Sequence, residues 1–152
     1  MNISDLLKLK YPSELDATAI NMGDEELTRA LMSDTALTVF AKGNSGTTLQ
    51  TYDYTDGHVQ SSTATGNHTI AFSNWPPTGN RGILVVVGIA FGNFTITFPT
   101  INWEMSDGTT TTVFATYLAA NSGREALQTG TDPDTFKFWT DDAGTSISGK
   151  LI

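Results

Sequence analysis

The chain has 152 residues, 39% of them hydrophobic and only 16% charged, with no cysteine and a formal net charge of −8. This length holds one domain with a real core rather than two, and the lack of cysteine excludes disulfides and thiolate metal sites. Only eight Lys and Arg are present and they are scattered, which argues against nucleic-acid partners, since neutralising phosphates needs clustered cations.

At the N-terminus, Leu6, Leu7 and Leu9 are interrupted by Lys8 and Lys10 and followed by Pro12. This is not the pattern of a secretory signal. Ser4 can cap a short helix over residues 5–10, which Tyr11-Pro12 ends. Residues 13–22 have no clean period and read as an extended connector. A second helix is expected over residues 24–32, because Asp24, Glu25 and Glu26 fall in its first turn and Arg29 sits later, as the helix dipole favours. Helices this short are unstable alone in water and need a packing partner. Residues 1–34 therefore read as an arm, anchored on a partner by Leu6, Leu7, Leu9, Tyr11, Leu27 and Leu31.

From Thr35 onward the signals are strands. Leu37, Val39 and Ala41 alternate with other residues over 36–41; Gly43 to Gly46 supplies a turn, and 47–54 continues. Asp56-Gly57 has hairpin-turn chemistry. Residues 58–64 and 68–72 read as polar, exposed strands. A loop follows around Trp75-Pro76-Pro77. The run 83–91 is wholly apolar apart from Gly88, too short for a membrane span, and reads as a central strand buried on both faces. Phe94, Ile96 and Phe98 alternate with Thr95 and Thr97; Asp107-Gly108 is a second hairpin signal, and residues 109–118 continue the strand pattern. Residues 121–131 read as loop. The last segment is the clearest: Phe136 and Phe138 alternate with Thr135 and Lys137, Asp141 to Gly144 is a turn, and 145–152 resumes the alternation. A terminal hairpin built into a sheet is expected. Short strands at regular spacing, without a fixed repeat, predict an all-β domain over 35–152, an antiparallel β-sandwich of jelly-roll type, with a short helical or extended N-terminal arm.

Reaction chemistry is sparse. His58 and His68 have no carboxylate at metal-ligand spacing and read as surface strand residues. Asp132, Asp134, Asp141 and Asp142 crowd the end of the chain without the alternating pattern of a calcium loop, and read as turn formers. Ser45 and Ser122 lie outside any nucleophile-elbow pattern, and Gly43-Asn44-Ser45-Gly46 lacks the lysine and helix of a phosphate loop. Trp75, Trp103 and Trp139, with Tyr52, Tyr54 and Tyr117, read mainly as core and loop anchors. Trp75 is the exception, because the rigid Pro-Pro loop can present its ring to a sugar. The expectation is a protein that is not an enzyme and carries no cofactor and no metal.

The segment from Asp134 to Gly149, with its aromatic strand, Asp-Asp-Ala-Gly turn and small-residue return strand, resembles the C-terminal hairpin of small β-sandwich modules in tailed-bacteriophage virion proteins. The opening Ile3-Ser4-Asp5-Leu6-Leu7-Lys8-Leu9-Lys10-Tyr11-Pro12 is similar to the helical starts of some phage structural proteins. The resemblance implies a virion part assembled in the host cytoplasm: a capsid decoration (cement) protein, usually a homotrimer, that contacts the major capsid protein. The alternative it implies is a tail-fibre or receptor-binding module that meets host-surface glycan. No membrane partner is expected.

Overall fold

The computed structural model describes residues 39–121 and 126–152. All of them belong to the second of the two units into which the chain divides, Ala36–Ile152. The helices expected over 5–10 and 24–32, the six arm anchors and Ser122 lie outside the described residues.

The described chain is mostly strand. One sheet has seven strands in the order β1 (Val39–Asn44), β3 (Val59–Thr63), β5 (Gly82–Ile89), β9 (Pro133–Thr140), β10 (Ile147–Leu151), β7 (Ile101–Glu104) and β8 (Thr110–Thr111). A second sheet has three: β2 (Leu49–Asp53), β4 (His68–Ser73) and β6 (Ile96–Thr97). The all-β expectation holds. The antiparallel one does not hold generally: five ladders are parallel and three antiparallel.

The reason lies in the path of the chain. From β1 to β6 it alternates between the two sheets, so each strand lies parallel to the last but one. Val39 aligns with Val59 and Val59 with Val85 in the large sheet; Leu49 aligns with Thr69 in the small one. Parallel neighbours require a crossover, and here each sheet serves as the crossover of the other. The chain thus coils through both sheets before the terminal hairpin closes the large one. Asp56-Gly57 is accordingly a corner and not a hairpin. Tyr54–Asp56 forms a single 3-10 turn, and the Asp53 carboxylate accepts from Thr55 N and Thr55 Oγ1 at 2.9 and 2.6 Å, and from Ser73 Oγ at 3.0 Å. The buried amide of Gln60 donates to the Asp53 and Gly57 carbonyls. These bonds tie the ends of β2, β3 and β4 together.

The core draws on both sheets and on one helix. Tyr52 and Ile70 of the small sheet pack with Leu84, Val86, Phe136 and Phe138 of the large one. Burial pushes the Tyr52 phenol up to about 12, and its hydroxyl shares a 2.5 Å hydrogen bond with Ser62. A second aromatic group joins Phe98, Trp103, Phe114 and Tyr117, with Trp103 and Phe114 rings 4.6 Å apart. Each such ring pair adds roughly 0.5–1.5 kcal/mol beyond its burial.

Three further expectations change. Residues 109–118 are not one strand: after the two-residue β8 the chain enters helix α1 (Phe114–Asn121). Phe114, Tyr117 and Leu118 have i, i+3, i+4 spacing and turn one stripe onto the core, and Tyr117 Oη accepts from Leu151 N at 2.7 Å. β5 is central, between β3 and β9, but its burial alternates: Leu84 and Val86 are buried while Ile83 is 37% exposed. Apolar residues on its outer phase made it look doubly buried. Finally, β3 and β4 are not exposed polar strands, since Gln60, Ser62, His68 and Ile70 are buried. The terminal hairpin is as expected, with Phe138 opposite Gly149 and Phe136 opposite Leu151.

Candidate ligand site on the outer face of the large sheet

Strand β9 carries two different faces because its side chains alternate. Phe136, Phe138 and Thr140 point into the core and are buried. Lys137 and Trp139 hold the opposite phase and are only partly covered. Across the ladders, Trp139 sits opposite Ile83 of β5 and Ser148 of β10, and Lys137 sits opposite Val85 and Lys150. Glu104, at the end of β7, reaches Lys150 with a 3.8 Å contact. Together with Arg81, these side chains line an open hollow of about 260 Å³.

The hollow concentrates positive charge in an acidic protein. Four Lys and Arg occur among the described residues, and three of them, Arg81, Lys137 and Lys150, line it. Arg81 grips Asp141 through two bonds, Nε to Oδ1 at 2.8 Å and Nη2 to Oδ2 at 2.7 Å. That bidentate bond holds the Asp141 carboxyl below its ordinary range and raises the Arg81 guanidinium. Lys150 is loosely engaged by Glu104, and Lys137 has no ion-pair partner among the described residues.

The tryptophans fall into three environments. Trp103 is buried in the core. Trp75 is half-buried. Its ring packs on Tyr54 at 5.6 Å and Phe72 at 5.8 Å, and a Cβ on Gly144 would overlap it. The Trp-Pro-Pro loop thus pins the terminal turn to the small sheet. Trp139 alone stands outside the core cluster, on the outer sheet face. Tyr52 and Tyr117 are buried, so the six aromatic residues do not share one platform. The phase of β9 carried the signal for Trp139, which continues the outward series of Lys137.

His58 is exposed, but His68 is buried, contrary to the surface reading, with its ring edge-on to Phe91 at 5.6 Å. Its Nδ1 lies 3.1 Å from the Gly66 carbonyl and 3.2 Å from Ser45 Oγ. Nδ1 thus faces two oxygens, while Nε2 is buried without a hydrogen-bond partner. A broader hollow of about 490 Å³ beside it is lined by Thr47, Thr69, Thr95 and Thr97 and holds no carboxylate, Lys or Arg.

The acidic turns are occupied by their own backbone. Asp142 Oδ1 accepts from Ser146 N at 2.9 Å and Thr140 Oγ1 at 2.7 Å, which lowers its carboxyl pKa. Asp134 is buried and accepts from Gln128 N at 2.9 Å. No group of three His, Asp or Glu suited to a metal occurs among the described residues, and no described helix is long and apolar enough to cross a membrane. Neither a protein-family model, nor a curated protein, nor a solved structure matches the chain.

Proposed function

We propose that this chain is a bacteriophage virion structural protein, a capsid decoration (cement) protein that binds the head shell as a homotrimer and performs no catalysis. The observation that carries this reading is strand β1. It is an edge of the large sheet, paired only with β3 among the described residues, and Val39 and Phe40 are 51% and 41% exposed. An edge strand that opens with exposed apolar side chains invites strand addition or side-chain docking by another chain. It also follows directly on residues 1–38, which contain the proposed arm. An arm with an adjoining apolar edge suits many weak contacts repeated over a shell, which multivalency strengthens. The non-catalytic part of the reading is supported by the sequence, in which Ser45 and Ser122 lie outside any nucleophile-elbow pattern and no phosphate loop occurs.

For the fold, two sheets sharing one core support a two-layer sandwich. The parallel ladders weigh against jelly-roll wiring, in which neighbouring strands run antiparallel, and favour a coiled, solenoid-like path.

Counting copies in purified particles tests the functional reading. Hundreds of copies on the shell support cement. A handful at one vertex favours the alternative, a tail-fibre or receptor-binding module, and absence from particles rejects both. The alternative has one observation in its favour: the outward Trp139 beside Lys137, a surface suited to host glycan.

A further inference from the structure

Two side chains of the outer hollow are not engaged with the core or in an ion pair among the described residues. Trp139 is outside the core cluster, and Lys137 is not committed to any ion pair among the described residues. A large ring and an uncommitted cation, side by side on the solvent face of a sheet, are the two elements of a recognition surface.

We propose that this hollow binds a carboxylated sugar residue of an acidic glycan, with the sugar ring on Trp139 and its carboxylate on Lys137. Three features select this chemistry. Trp139 and its cross-strand neighbour Ile83, 37% exposed, both line the hollow and offer apolar surface for the C–H face of a pyranose. The hollow, about 260 Å³ and open to solvent, has room for one pyranose ring while the rest of a glycan extends outside it. The charge pattern fits one negative charge and no more. Arg81 is held by Asp141, Lys150 is shared with Glu104, and the chain as a whole carries −8. A dianionic phosphate or a nucleic acid strand would meet these rim carboxylates and the overall negative field. A monocarboxylate meets Lys137, while a free lone pair of the Glu104 carboxylate can accept from a sugar hydroxyl. This inference does not depend on the virion reading, since the site lies on the β-domain wherever the protein works.

The test is a titration of the full chain with three sets of oligosaccharides, ending in glucuronate, galacturonate or sialate, each beside its carboxyl-reduced neutral counterpart. Tryptophan fluorescence and calorimetry report binding. At least one acidic sugar should bind, its neutral counterpart more weakly, and added salt should weaken the acidic one alone. Lys137→Gln should reduce affinity about tenfold through loss of one charge-assisted bond. Trp139→Ala should abolish binding, and Lys42→Gln, whose lysine pairs with Asp56, should leave it unchanged. Equal binding of neutral sugars, an unaltered Lys137→Gln variant, or no binding of any acidic sugar would overturn the proposal. So would self-association of the chain that Lys137→Gln disrupts, because the face would then be an interface between copies.

Discussion

The two faces of strand β9 show how one stretch of chain serves two purposes. Phe136 and Phe138 are fully buried and touch rings from both sheets and the helix side. One residue along, Lys137 and Trp139 contribute little to the core and stand at a shallow charged hollow. The inner face is constrained by volume, since packed interiors tolerate neither voids nor added atoms. The outer face is constrained only by what it meets in solution. Substitutions on the first should therefore change stability, and substitutions on the second should change binding.

The strongest test of the inner face is Val86→Asp on the neighbouring strand β5. It places an unpaired carboxylate at a fully buried site, and the domain should fail to fold cooperatively. A melting temperature like that of the parent would reject the central placement of β5. Phe138→Ala comes next, with an expected loss of about 3–5 kcal/mol in denaturant unfolding. Gly149→Ala probes the same layer from β10. Its Cβ would lie 2.8 Å from the Phe138 ring and 2.9 Å from Ile101 Cγ2, so overpacking of roughly 1–3 kcal/mol is expected. A neutral result would mean the aromatic layer can yield.

A milder effect is expected at the corner. Hydrogen bonds from the Thr55 side chain and backbone are the largest cause that holds the Asp53 carboxyl at about 2, against 3.8 for the free group. A depressed pKa means the ionised form is favoured by folding. Its contribution is then complete above the unfolded value and disappears as pH falls through the folded one. Melting temperature should decline between about pH 4 and pH 2, less steeply in Asp53→Asn than in the parent. Asp107, Asp141 and Asp142 are lowered too, so the difference between the two curves is the informative quantity. Identical acid slopes would show that the corner does not depend on this charge. The smallest effect belongs to the outer face: Lys137→Gln should alter stability by no more than about 0.5 kcal/mol. A larger loss would make Lys137 part of the fold and blur the contrast between the faces.

The sequence alone determined the local pieces. The terminal hairpin, the turn at Asp141 to Gly144 and the inward phase of Phe136 and Phe138 were all legible, because a period of two and turn chemistry are written in neighbouring residues. The outward phase of Trp139 was written there as well, although the Pro-Pro loop drew attention to Trp75. What lay beyond reach was the pairing of strands. Asp56-Gly57 has the same residues whether the chain reverses into a hairpin or turns a corner into another sheet. The outcome rests on Gln60 and Asp53, whose partners Gly57, Ser73 and Asn74 are assembled only when β2, β3 and β4 come together. Helix α1 was hidden for the same reason: the stripe of Phe114, Tyr117 and Leu118 gains its meaning from Trp103 and β10, against which it packs. The hollow is the clearest case. Arg81, Lys137 and Lys150 are far apart in sequence, and only the register of β5, β9 and β10 gathers them around one ring.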